Sequence, residues 1–166
     1  MINANFATIV YNMRLHLQIE MNSALYVRDP ESSELGRNII SHGIELIDEI
    51  GFEEFTFKKL SQRIGTTEAS IYRYFENKHR LLTYITTWFW TWIEYQLIFL
   101  TNNVIDPKTK IDTVINLLIL QEKDPIALEH INRVALHNIV VAEGNKSYLT
   151  KHVAADNKAM LFKPYK

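Results

Sequence analysis

The stretch FKKLSQRIGTTEASIYRYFENKHRLL, residues 57–82, decides the reading of this chain. Gly65 divides it into two short helical segments, and Asn77 opens a third. Phe57, Leu60 and Ile64 recur at three- and four-residue steps, as do Ile71 and Phe75, so each segment hides one apolar stripe. Ala69 is small enough to sit near the neighbouring helix. Thr67, Glu68, Ser70, Arg73 and Tyr74 are left facing outward. Thr56, Thr67 and Asn77 each precede a helical run and predict N-caps. Two short helices locked by a seam, with hydroxyls and cations outside, are what a helix-turn-helix offers to the major groove. Thr67 and Ser70 suit a phosphate or a base edge, Arg73 reaches guanine or phosphate, and Tyr72 and Tyr74 carry phenol donors. Lys78 is placed to clamp a flanking phosphate. The same residues also fit an ordinary helix pair with a solvated basic face, and spacing alone leaves both readings open.

Charge sharpens the picture. The chain as a whole is nearly neutral, with a net charge of −1. Between residues 58 and 80 stand six cations (Lys58, Lys59, Arg63, Arg73, Lys78, Arg80) and two anions (Glu68, Glu76). A local basic face on a neutral protein is the useful electrostatic footprint of a polyanion partner. An apolar content of 47% in 166 residues permits a sizeable core and argues against wholesale disorder. With no cysteine, disulfide frameworks, thiolate metal sites and thiol nucleophiles are excluded. The first ten residues lack a cationic leader, and a cytoplasmic location is expected.

Outward from the central stretch the pattern is all-α. Leu35, Ile39, Ile40, Ile44, Ile47 and Ile50 predict a helix over 33–50, with Ser33 as N-cap and Gly51 at the C′ position. Helices follow over 57–64, 68–75 and 78–101. Asp106-Pro107 opens another to about 121, and two more are expected over 125–143 and 146–162. Residues 14–21 alternate polar and apolar, as a strand or a free arm would, and Met21 is an alternative start. The divisions expected are an N-terminal arm or extension at 1–32, a DNA-binding unit at 33–82, and a helical effector-binding and dimerisation part at 83–166.

Residues 35–82 resemble the N-terminal domain of the TetR family of bacterial transcriptional regulators. The resemblance rests on Gly51-Phe52, Phe55 through Ser61, Ile64 through Thr67, Ser70 through Phe75, Asn77-Lys78 and Leu81-Leu82. It implies a three-helix helix-turn-helix domain followed by a regulatory helical domain. It implies phosphate contacts from Thr56, Tyr72 and Lys78, and base or near-base contacts from Lys58, Glu68, Ser70, Arg73 and Tyr74. Glu68 is the weak member, because a carboxylate is repelled by phosphate and helps only by accepting from a cytosine amine. The partners implied are a double-stranded operator, a small-molecule effector and a second copy of the chain. Family members carry about two further helices that form a dimer interface, so residues 83–166 read as a C-terminally short regulatory domain.

Residues 81–100, LLTYITTWFWTWIEYQLIFL, carry one charge, Glu94, and prompt a membrane check. Three threonines, Glu94 and Gln96 favour a core helix instead, and no membrane partner is expected. Trp88, Trp90 and Trp92 point about 200° apart at two-residue steps, so one side packs inward while another is free to line a cavity. The resemblance implies an effector site between this helix and later ones, with Trp88, Trp92, Tyr95, Phe99, His130, Val134 and His137 as candidate lining residues. Ordinary core packing is the competing reading for each. His130 and His137 are too widely spaced for easy joint coordination of one metal ion, and no cofactor motif or catalytic set is visible. The expectation is therefore a non-enzymatic repressor. The alternative is a helical protein-interaction module that has lost DNA binding.

Overall fold

A computed structural model of the chain describes residues 21–119, 131–148 and 153–161. Among these residues the structure is helical, with no strand. The helices are α1 (Glu34–Glu54), α2 (Phe57–Ile64), α3 (Glu68–Tyr72), α4 (Lys78–Thr101), α5 (Pro107–Leu118), α6 (Arg133–Glu143) and α7 (Val153–Lys158). Short 3-10 turns occupy Ser23–Leu25, Pro30–Ser32 and Gly144–Tyr148.

Side-chain caps start the helices where the sequence places them. Ser33, Thr56, Thr67, Asn77 and Asp106 each accept a hydrogen bond from a backbone amide of the following first turn. α1 buries Ile39, Ile40, Ile44 and Ile47 along one stripe. It does not end at residue 50. Gly51 adopts φ 77° and ψ 157°, a conformation essentially restricted to glycine, and one more turn follows before Phe55. The Phe55 amide closes that turn onto the Gly51 carbonyl at 3.2 Å.

Other boundaries differ from the sequence expectation. α3 stops at Tyr72, because the Tyr74 and Phe75 amides both return to the Ile71 carbonyl and the chain turns toward the Asn77 cap. α5 stops at Leu118. Of the expected 125–143 helix, residues 125–130 lie outside the described residues, and the described part is a helix from Arg133 with Asn132 as its N-cap. Of the expected 146–162 helix, the described residues form a 3-10 turn through Tyr148 and α7, while residues 149–152 and 162 lie outside the described residues. Of the expected N-terminal arm, only residues 21–32 are described. They pack against the body, with Leu25 and Pro30 buried. The alternating segment 14–21 lies almost wholly outside the described residues.

α4 is the spine. Leu81, Leu82, Tyr84, Ile85, Trp88, Phe89, Trp92 and Ile93 are buried on it. Its hydroxyls are compatible with that burial because they bond back to its own carbonyls: Thr83 to His79 at 2.8 Å and Thr91 to Thr87 at 2.9 Å. Among the described residues no helix is long and apolar enough to cross a membrane. α6 lies across α1, and the Gly144–Tyr148 turn lies against α4. The helix-turn-helix and the later helices therefore share one core.

Candidate nucleic-acid interface

The α2–turn–α3 unit is built from short-range instructions. Gly65 takes the left-handed conformation (φ 68°, ψ 35°) that ends α2, and the Thr66 amide returns to the Ser61 carbonyl at 2.9 Å. Thr67 then starts α3, accepting from the Ser70 amide at 3.2 Å, while its hydroxyl meets the Ser70 hydroxyl at 2.9 Å. Ile71 and Phe75 are completely buried, as are Leu60 and Phe55. Burial of apolar side chains of this size is worth about 1.5–3 kcal/mol each, enough to hold a helix of five residues that could not form alone.

Outside that seam, Thr56, Lys58, Thr67, Tyr72 and Arg73 are exposed, and Glu68 and Ser70 are half-exposed. Ala69 is exposed too, and does not sit against the neighbouring helix as expected. The Tyr72 ring, 50% exposed, stands edge-on to Phe57 with centroids 5.0 Å apart. That contact ties α3 to α2 and sets the direction of the phenol.

Two expected outward residues are otherwise employed. Tyr74 is only 3% exposed. The turn after Tyr72 swings it inward, and its hydroxyl meets the Ser33 hydroxyl at 2.8 Å. Lys78 is half-buried over the Phe52 ring, 4.7 Å from the centroid. Its ammonium donates to the carbonyls of Phe52, Glu53 and Phe55 at 2.9, 3.0 and 3.2 Å. These are carbonyls at the end of α1, where the Gly51 kink interrupts the helical ladder, so Lys78 supports that corner instead of standing free for a phosphate.

The basic face is consequently more selective than the composition suggests. Lys59 is held by the Glu54 carbonyl at 2.7 Å and its carboxylate at 3.3 Å. Arg63 bridges α2 to α1 through Glu49 at 2.6 Å and Glu45 at 3.1 Å. That pairing lowers the Glu49 pKa and raises that of Arg63. Arg80 pairs with Asp156 at 3.0 Å. Of the six cations between residues 58 and 80, Lys58 and Arg73 alone have no carboxylate or carbonyl partner for their charge among the described residues. Both belong to the surface that the sequence points to.

The sequence of this unit is matched by known proteins. Residues 39–85 match the family described as bacterial regulatory proteins, tetR family. Residues 39–85 are a tetR-family domain. A curated relative, the tetracycline repressor protein class G of Vibrio anguillarum, is 36% identical over 44 residues, covering 26% of this chain and 21% of the relative. The chain thus matches about a fifth of that relative's length. No solved structure matches the chain significantly. The tetR-family unit is a DNA-binding module of transcription regulation.

The tetR-like unit is joined to the later helices at the Gly51 corner. Glu143, at the end of α6, accepts from the Phe52 amide at 3.3 Å. Lys146 bridges Glu143 at 2.7 Å and Glu53 at 3.0 Å, which lowers the Glu53 pKa and raises that of Lys146. Asn138 donates to Asp48 at 3.1 Å. The pairs that cross to α1 are about ninety residues apart in sequence, and no local pattern announces them.

The candidate effector residues divide. Trp88 and Trp92 are buried, with Arg133 stacked 5.3 Å from the Trp92 ring centroid. His137 is half-buried, 6.2 Å from the Phe89 ring. Tyr95, Phe99 and Val134 face solvent, the last at 65% exposure, so they do not line a closed interior. His130 lies outside the described residues.

Proposed function

We propose that the chain is a transcriptional repressor that binds a double-stranded operator as a homodimer in the cytoplasm and is released by a small-molecule effector. The observation that carries the reading is the contrast across α3. Ile71 and Phe75 are hidden, while Ser70 and Arg73 remain open beside an unpaired Lys58. Thr56, Lys58, Thr67, Glu68, Ser70, Tyr72 and Arg73 form the DNA-reading set. Operator affinity is best reached with two such units about one DNA turn, ~34 Å, apart.

Effector control is supported by the Gly51 corner. Glu143, Lys146 and Asn138 reach from the later helices to α1, so a shift of α6 is transmitted to the chain entering α2. A ligand near Trp88, Trp92 and His137 acts only through its different affinities for the two arrangements. The test is an electrophoretic shift with DNA from upstream of the protein's own gene. A retarded band weakened in Lys58→Ala is expected. No retardation at micromolar protein would defeat the reading in favour of a helical interaction module. The exposed apolar side chains Ile98, Ile111, Ile115 and Ile119 are the observation that favours that second reading.

A further inference from the structure

Eight cations lie in the described residues up to position 80: Arg28, Arg37, Lys58, Lys59, Arg63, Arg73, Lys78 and Arg80. Five are engaged. Arg37 donates to the Glu31 carbonyl at 2.8 Å, and Lys59, Arg63, Lys78 and Arg80 have the partners described above. The three whose charge has neither a carboxylate nor a carbonyl partner among the described residues are Lys58, Arg73 and Arg28. Two of them belong to the DNA-reading set.

The third is held beside the same helix-turn-helix. The Val27 amide donates to the Tyr74 carbonyl at 2.8 Å, so the segment before α1 closes the end of the recognition-helix turn. Arg28 follows directly. It is exposed, and its guanidinium lies 5.4 Å from the Tyr74 ring centroid. Leu25 and Pro30 are buried on either side of it, which fixes the backbone that carries it. Tyr74 is also the immediate neighbour of Arg73, so the two guanidiniums leave the protein from adjoining backbone. An arginine held next to a duplex-reading turn by its stacking on Tyr74, with no carboxylate or carbonyl partner among the described residues, is placed to meet a phosphate oxygen.

We infer that Arg28 is an additional phosphate-contacting residue, which extends the DNA interface from the helix-turn-helix onto the segment preceding α1. The inference rests on the DNA-binding reading. A phosphate contact fixes register without carrying sequence information, so Arg28 serves operator and non-operator duplex alike. Neutralising one phosphate contributes about 0.9 to the slope of log affinity against log salt on duplex DNA.

The experiment is fluorescence anisotropy with the full chain. A labelled upstream fragment and a random-sequence duplex are titrated between about 50 and 250 mM KCl, where counterion release dominates. Wild type, Arg28→Gln, Arg28→Lys and Lys58→Ala are compared, with melting temperature as the folding control. Arg28→Gln is expected to lower the slope by about 0.9 per bound chain on both duplexes, and Arg28→Lys to keep it. A slope for Arg28→Gln equal to wild type, while Lys58→Ala lowers it, overturns the inference and leaves the DNA-binding reading standing. Absence of binding by wild type overturns both.

Discussion

Lys78→Met separates a structural role from a DNA-contacting one at a position where the sequence and the structure disagree. The substitution keeps the apolar stem over Phe52 and deletes only the ammonium. Three carbonyls lose their donor, of which that of Glu53 is exposed and open to water, while those of Phe52 and Phe55 are partly buried. A hydrogen bond to a charged group is worth about 1.5–3 kcal/mol, and water at the partly exposed ends recovers some of it. Loss of the cation over the Phe52 ring adds about 0.5–1 kcal/mol. The expected destabilisation is about 3 kcal/mol. For a chain of this length each kcal/mol moves Tm by about 2–4 °C, so a fall of about 6–12 °C is expected. Thermal melting by circular dichroism measures it, and anisotropy below the melting range measures the salt slope of DNA binding. The slope should be unchanged. An unchanged Tm with a slope lowered by about 0.9 would refute the structural assignment and return Lys78 to a phosphate.

Three further outcomes follow from the same contacts. Gly36→Ala puts a methyl group 2.1 Å from the Pro30 carbonyl oxygen and 2.6 Å from its Cα, both backbone atoms, so the segment before α1 must lift. Calorimetry should show a loss of about 1–3 kcal/mol, and a Tm within about a degree of wild type would contradict the packing. Tyr74→Phe removes the hydroxyl that meets Ser33, and urea titration should show a loss of about 0.5–1.5 kcal/mol while DNA affinity stays as it was. An affinity drop without a stability change would place that phenol on DNA. Burial, and then the neighbouring Lys78, hold the His79 pKa below its ordinary 6.5. The native state thus resists a proton that the unfolded chain accepts, so the His79 contribution is complete above about pH 6.5 and is lost as pH falls through the folded value. Tm measured from pH 7.5 downward should decline less in His79→Gln than in wild type, and parallel curves would exclude His79 as a source.

The fold was legible where instructions are local. Apolar periodicity located α1, α2 and α4, and Thr56, Thr67, Asn77 and Asp106 marked helix starts as hydroxyl, amide or carboxylate caps. Gly51 was legible as a breaker, but the extra turn beyond it was not, because Lys78 and Glu143 hold that turn from distant elements. Tyr74 was misread because its outward placement assumed that α3 continued at 3.6 residues per turn, and the chain leaves the helix after Tyr72. The charge count between residues 58 and 80 suggested a broad basic face. Which of those charges are free depends on carboxylates brought in by tertiary contact, such as Glu45, Glu49 and Asp156. Arg28 escaped notice for the same reason, since nothing in its own neighbourhood marks it as the companion of Tyr74.

Binding of duplex DNA by the Lys58→Ala plus Arg73→Ala double variant is the most direct measurement. Neither side chain supports the fold, so a melting temperature equal to wild type is expected. Each contact of this kind is worth about 1–3 kcal/mol, and the pair should lose at least about thirtyfold in affinity for the upstream fragment. A double variant that folds and binds that fragment within about twofold of wild type would show that the open side of α3 is not the surface that meets the duplex.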